Sequence, residues 1–194
     1  MIKGIYEYTA LGSVHILSSN VSYLFKLVFL GEGAVGKTSL VGRFVYDSFE
    51  GDYLATIGTD IHLKMVEVED TTVKLVIWDI AGQDNFAQLR RAYYMNASGA
   101  FFVYDTTRPE TINRIDDWIH ALQAVTGQIP LVLIENKVDL ESAISQDVKD
   151  SVMSKYDVKI LPTSAKENTN VEEAFKEMTA KILAKARKRG MTPI

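Results

Sequence analysis

One short stretch has residue types and spacing that could hold a chain of phosphate groups: Gly31-Glu32-Gly33-Ala34-Val35-Gly36-Lys37-Thr38. It fits the pattern G-x-x-x-x-G-K-[ST], which acquires meaning when a strand precedes it and a helix follows. Both neighbours are present. Leu24 to Leu30 is a short apolar run, and Ser39 to Val45 has helical apolar spacing. Gly31, Gly33 and Gly36 let the backbone curl so that successive N–H groups face phosphate oxygens. A helix beginning near Gly36 adds the positive end of its dipole. Lys37 can reach the β- and γ-phosphates as a point charge, and the Thr38 hydroxyl can bind Mg²⁺. The candidate phosphate-binding residues are therefore Gly31, Gly33, Ala34, Val35, Gly36, Lys37, Thr38 and Ser39. This stretch alone indicates a nucleoside triphosphate, with neither the base nor the reaction specified.

Further groups follow in order along the chain. Asp79 closes the apolar run Val73–Trp78 and is followed by Ile80-Ala81-Gly82-Gln83. A carboxylate there suits the support of Mg²⁺, the Gly82 N–H can approach a γ-phosphate, and Gln83 can orient an attacking water. Asn136-Lys137-Val138-Asp139 follows another apolar run. The Asp139 carboxylate can accept two hydrogen bonds from the N1–H and N2 amine of guanine, a donor pair that adenine lacks. Asn136 can bond the purine and tie its loop to neighbours, while the Lys137 stem covers a ring face. In Thr163-Ser164-Ala165-Lys166 the small residues let an N–H approach the guanine carbonyl, and Lys166 can lie on the ring. Tyr53-Leu54-Ala55-Thr56-Ile57-Gly58 lies in a polar loop, where a threonine can give its hydroxyl to Mg²⁺ and its N–H to a γ-phosphate.

These groups need elements to position them. From residue 24 the pattern reads β-α-β-β-α-β-α-β-α-β-α. Strands are expected at 24–30, 59–68, 72–80, 99–105, 129–135 and 157–161. Helices are expected at 37–46, within 85–96, and at 109–126, 145–155 and 170–187. Runs such as Phe101-Phe102-Val103-Tyr104 and Leu131-Val132-Leu133-Ile134 suit parallel strands buried on both faces. The short turn Glu69-Asp70-Thr71 predicts antiparallel pairing of the second and third strands. Thr107-Arg108-Pro109-Glu110 has capping-box spacing with Pro in the first turn. The last helix starts at Asn170, with Val171, Ala174, Phe175, Met178, Ile182 and Leu183 as its apolar face. The fold expected is α/β: a six-stranded, mostly parallel sheet with one antiparallel edge strand, flanked by about five helices.

Composition narrows the class. The chain has 194 residues, 47% of them hydrophobic, enough for one domain with a sizeable core. A net charge of −4 gives no support for nucleic-acid binding. With no cysteine there is no disulfide framework, no Cys-based zinc site and no thiol nucleophile. No apolar run approaches the length of a membrane-spanning helix. Residues 1–22 read as an extension, either flexible or an added strand or hairpin. Residues 23–189 form the domain, and 190–194 a short tail.

The motifs in this order resemble the Ras superfamily of small GTPases, over residues 24 to about 187. Ala55-Thr56-Ile57-Gly58, Ile77-Trp78-Asp79-Ile80-Ala81-Gly82-Gln83, Ala92-Tyr93-Tyr94 and Val103-Tyr104-Asp105-Thr106-Thr107 look most like the Rab branch. The resemblance implies a P-loop G domain that binds GTP or GDP with Mg²⁺ and hydrolyses GTP as a molecular switch, in membrane trafficking or a related pathway. Thr38 and Thr56 would hold Mg²⁺ with Asp79 in support, and Gln83, Lys37, Thr56 and Gly82 would carry the reaction. Phe49 stands where the family lays an aromatic ring on the guanine, and Tyr53 is placed in the same nucleotide-binding set. Ile61, Trp78 and Tyr93 stand at a triad that effectors read. Effector, exchange-factor and GTPase-activating proteins would dock through residues 50–62 and 82–95. The chain is expected to be a cytoplasmic monomer, peripheral at membranes through partners or its basic C-terminal helix.

Departures accompany the likeness. Ile61 replaces the usual Phe, Asp84-Asn85 replaces Glu-Arg, and Glu135 stands where a small residue is common. The family usually ends in prenylated cysteines. This chain ends at Ile194 with no cysteine, so no lipid anchor on it is expected. No arginine stands out as placed to act in cis, which predicts slow intrinsic turnover and an activating protein in trans. Two rivals remain: a nucleotide-binding scaffold with little hydrolysis, disfavoured by Thr56, Asp79 and Gln83, and an ATP-using P-loop enzyme, disfavoured by Asp139.

Overall fold

A computed structural model describes residues 21–49, 59–80 and 87–194. The longest apolar runs become its central strands. β1 (Tyr23–Leu30) and β4 (Gly99–Asp105) lie side by side in parallel, and every residue of β4 is buried. β3 (Thr71–Ile80) pairs in parallel with the other edge of β1, and β5 (Leu131–Asn136) with β4. β2 (Thr59–Val68) and β6 (Ile160–Pro162) complete the six-stranded order β2-β3-β1-β4-β5-β6. β2 is the antiparallel edge strand, as its turn predicts. That turn is tighter than expected. Val68 already faces Thr71, and Glu69 and Asp70 take φ of 49° and 56°, the double left-handed pattern of a two-residue hairpin.

Each face of the sheet carries its own core. On one face, α1 (Lys37–Tyr46) and α6 (Val171–Lys188) bury Leu40, Phe175, Met178 and Ile182 over Phe25, Phe29 and Phe101. All six residues expected on the apolar side of α6 are buried. Phe175 is the hub: its ring stacks on Phe44 at 3.7 Å and meets Phe101 at 5.1 Å and Phe29 at 5.9 Å. The opposite face is covered by α2 (Ala87–Tyr94), α3 (Pro109–Asn113), α4 (Ile115–Thr126) and α5 (Gln146–Tyr156).

Three local expectations change. The helix expected over 109–126 divides at Arg114, where φ is −90° and ψ 8°. Its two parts answer to different partners. The buried Thr111 hydroxyl accepts the Asp105 N–H at 3.1 Å and binds α3 to the end of β4. α4 instead lays Ile115, Trp118, Ile119 and Leu122 on the sheet. The capping box does not form: Pro109 is the first helical residue, and the Thr107 hydroxyl donates to Asp105 Oδ1 at 2.7 Å. The strand expected at 157–161 is shorter because α5 runs to Tyr156 and Asp157 caps it in the left-handed region (φ 50°), so pairing starts at Ile160.

The expected N-terminal extension lies outside the described residues except Val21 and Ser22. The last residue returns to the start of β1, where the Ile194 N–H donates to Ser22 O at 2.9 Å. Among the described residues no helix is long and apolar enough to cross a membrane.

Removing the hub ring should leave a cavity between α1, α6 and the sheet. Phe175→Ala should therefore cost about 3–5 kcal/mol, read as a lower urea midpoint at unchanged m value.

Candidate functional site

The strand, glycine-rich loop and helix are built where β1 hands over to α1. Gly36 is the helix N-cap with φ 96°, and Gly31 has φ 124°. A Cβ on Gly31 would fall on the Val103 carbonyl of β4, and one on Gly36 on the Asn136 side-chain amide. Both positions thus need glycine twice over, for backbone conformation and for close approach. The third left-handed residue of the loop is Ala34 (φ 63°) rather than Gly33. A conformation that costs an L residue roughly 1–2 kcal/mol must be held by its surroundings.

Three side chains hold the loop through its carbonyls, and two more hold it through the Glu32 carboxylate. Lys37 Nζ donates to Gly31 O at 2.9 Å and Glu32 O at 2.7 Å. Arg108, just after β4, donates from Nη2 to Gly33 O at 2.8 Å. Asn136, at the end of β5, donates from Nδ2 to Val35 O at 2.9 Å. The Glu32 carboxylate accepts the Trp118 Nε1–H at 3.1 Å and pairs with Arg114 at 3.4 Å, which latches the loop to α4. Lys37 is only 6% exposed. Burial lowers its ammonium to about 8, against the pull of Asp79 and Glu32, with Arg108 adding to the lowering.

Asp79 ends β3 beside this loop and is fully buried. Its Oδ2 accepts the Thr38 hydroxyl at 2.5 Å, while Oδ1 has no hydrogen-bond partner. Burial raises its pKa, opposed by the Thr38 hydrogen bond and the Lys37 charge.

The two downstream motifs meet through Asn136. Its Oδ1 accepts the Thr163 hydroxyl at 3.2 Å and the Ala165 N–H at 3.3 Å. Ser164 Oγ donates to Asp139 Oδ1 at 2.6 Å, and Lys166 Nζ lies 4.0 Å from Asp139 Oδ2. Lys137 takes φ 67° and pairs with Asp105 Oδ2 at 2.6 Å. α1 reaches this loop as well, because Arg43 donates to Ala165 O and Lys166 O at 3.0 and 3.1 Å. Phe49 is partly exposed, 5.9 Å from the same guanidinium. The structure thus gathers Gly31 to Ser39, Asp79, Asn136, Lys137, Asp139 and Ser164 to Lys166 at the C-terminal ends of neighbouring parallel strands. In open α/β sheets this is where ligands bind.

A sequence model of the Ras family matches residues 26–184 of this arrangement. The chain belongs to that family. It is similar to the GTP-binding protein YPTM1 of Zea mays, 40% identical over 86% of this chain and 81% of that protein. It is also similar to the Ras-related protein Rab-8B of Pongo abelii (36% identical, over 87% and 83%) and the GTP-binding protein YPT1 of Saccharomyces cerevisiae (38%, over 86% and 82%). It is a Rab-like small GTPase.

Several expected site residues of this GTPase lie outside the described residues: Tyr53, Thr56, Gly82 and Gln83. Of the triad, Ile61 faces Trp78 across the β2–β3 ladder, and the Trp78 and Tyr93 rings are 6.3 Å apart. The unusual Glu135 has a structural explanation. It is buried, accepts the Thr106 hydroxyl at 2.7 Å and pairs with Lys149 of α5 at 2.5 Å. Sequence reasoning overlooked Arg108. No arginine stood out in the motifs, yet this guanidinium sits on the phosphate loop. Its signal was position: Asp79 and Asn136 lie at the C-terminal ends of central strands, and Arg108 lies just beyond such an end.

A phosphate ligand favours the charged form of Lys37, so its binding should take up a proton where the free amine titrates. Affinity then falls as pH rises through about 8. Between about pH 7 and about pH 9 the loss should approach tenfold for GDP. Calorimetry in buffers of different ionisation enthalpy would reveal the proton uptake.

Proposed function

We propose that this chain is a guanine-nucleotide switch that binds GTP and GDP with Mg²⁺ and hydrolyses GTP to GDP and phosphate. The observation that carries this reading is the Asn136 side chain, which bonds the phosphate loop at Val35 and the 163–166 loop at Thr163 and Ala165. Phosphate recognition and base recognition thereby share one rigid unit. In this reading Asp139, oriented by Ser164, selects guanine, with Lys137 and Lys166 over the ring faces and Phe49 at its edge. The N–H groups of Gly33 to Ser39 and the Lys37 ammonium bind the phosphates. Tyr53 belongs to the same pocket.

The residues present fit Mg²⁺. The Thr38 hydroxyl and an Asp79 carboxylate with one buried, unpartnered oxygen stand together. Among the described residues no cluster of three or more His, Cys, Asp or Glu could hold a metal by itself, so remaining ligands would come from the nucleotide and Thr56. Bound there, Mg²⁺ would neutralise charge on the β- and γ-phosphates. Gln83 orients the attacking water, and the Thr56 and Gly82 N–H groups bind the γ-phosphate. Its loss on hydrolysis releases both segments and changes the surfaces at residues 50–62 and 82–95 that effector, exchange-factor and GTPase-activating proteins read. Vesicle transport at a membrane surface is the process this reading supports, with the chain held there through partners or the basic end of α6.

The test is nucleotide analysis of the purified protein together with phosphate release, with and without Mg²⁺ and with ATP as competitor. Gln83→Leu and Gly33→Val should retain nucleotide while single-turnover hydrolysis slows about 10²-fold. Wild-type rates in both variants would refute the assignment. Asp139→Asn should move preference from guanosine to xanthosine nucleotides in competition binding. Unchanged preference would mean that another group reads the base.

A further inference from the structure

We propose that Arg108 is a positioning residue for GTP hydrolysis: it fixes the peptide between Gly33 and Ala34 so that the loop keeps its nucleotide-ready shape. The inference rests on the switch reading above and adds to it a residue that the nucleotide-binding motifs do not contain.

The argument is geometric. Arg108 Nη2 donates to Gly33 O at 2.8 Å. The described chain has no cis peptide, and in a trans peptide the C=O and the following N–H point in opposite directions. Holding Gly33 O on Arg108 therefore holds the Ala34 N–H facing away from Arg108. Asn136 does the same two peptides later, fixing the Gly36 N–H through Val35 O. Between these two ties the chain passes through Ala34 at φ 63°, a conformation L side chains rarely adopt. A strained residue with an anchored peptide before it keeps its amide direction, whereas without the anchor that peptide is free to rotate toward relief.

Arg108 is itself anchored. Its Nε is buried and lies 3.5 Å from Asp105 Oδ2, close enough for ion pairing though not aligned for a hydrogen bond. The same Asp105 oxygen takes Lys137 Nζ at 2.6 Å. A continuous line of charge therefore runs from the guanine-reading loop to the phosphate loop: Lys137, Asp105, Arg108, Gly33 O. Glu110 lies further out, at 3.9 Å from Arg108 Nε and largely exposed. A charge-assisted hydrogen bond has the strength to hold a strained peptide.

The experiment compares wild type, Arg108→Ala and Arg108→Lys in the full chain. The readouts are GDP dissociation, single-turnover GTP hydrolysis at saturating GTP, and the ³¹P resonances of bound GDP. Arg108→Ala should release GDP faster and hydrolyse more slowly, each by about tenfold, the size expected for one lost charge-assisted bond. Its phosphate resonances should move, and Arg108→Lys should recover much of all three. If the alanine variant does not fold, Arg108→Met, which keeps the apolar stem and removes every donor, gives the same comparison. An arginine serving stability alone would lower the unfolding midpoint and leave hydrolysis and resonances unchanged; that result overturns the proposal, as does Arg108→Lys behaving like the alanine variant. Wild-type protein that neither retains guanine nucleotide nor releases phosphate would overturn the switch reading, and this inference with it.

Discussion

One buried carboxamide sits where three segments meet. The Asn136 side chain gives its N–H to the phosphate loop and takes two donors from the loop after β6, while the residue's main-chain carbonyl accepts the Thr106 N–H at 3.0 Å. A side chain with both a donor and an acceptor end is required, since either an acid or an amine would leave one partner unmet in a place closed to water. Gly36 is shaped by the same contact, because any side chain there would occupy the space of the Asn136 amide. Two motifs separated by about a hundred residues in sequence are thus one steric and hydrogen-bonded unit.

The charges around this unit are organised to offset burial. Burial works against ionisation of Asp105, yet hydrogen bonds from Lys137 and Thr107 outweigh it and hold the carboxyl below its usual range. Glu135 would be a costly acid at the end of a buried strand without Lys149 and Thr106 beside it. The Tyr104 hydroxyl nearby is buried without a hydrogen-bond partner, and burial followed by the Glu135 charge pushes its pKa far up, so it remains a neutral phenol. These compensations come from β4, β5, α5 and the turn after β4, so the sheet's order is what brings them into range.

Much of this was legible in the sequence, and the reason is physical. β4 is buried along its whole length and β5 along nearly all of its own, so their apolar runs are long, and β1 is buried continuously from Leu27 to Leu30. The β2–β3 hairpin has only a two-residue turn, so its antiparallel sense followed from length. The loop glycines were legible because phosphate binding demands them in a fixed pattern. What escaped was set by tertiary competition. Thr107 looks like a helix cap, but the Asp105 carboxylate two residues before it is the nearer partner for its hydroxyl. The break at Arg114 depends on Thr111 being held by the end of β4. Arg108 and Glu32 stand at positions where their motifs specify no residue type, and their roles exist only once α4 and the end of β4 stand beside the loop.

The loop is also a site under electrostatic tension. Lys37 and Asp79 are both removed from water, and burial disfavours the charged form of each. They attract one another, but each has other obligations: Lys37 is spent on two carbonyls, and Asp79 shares one oxygen with Thr38 and leaves the other unmet. A core chosen for stability alone would hold apolar residues here, since replacing a buried ionic set by well-packed apolar groups is often neutral or favourable. The tension has a natural resolution in a ligand whose end is polyanionic and whose companion is a cation. Phosphate oxygens would meet the ammonium and the loop amides, while the cation would meet the unpartnered carboxylate oxygen. Binding then returns interaction energy that folding alone leaves unused, and by mass action the liganded protein is the more stable one. The glycines, the strained alanine and the carbonyl ties hold the loop in the shape that brings these groups together.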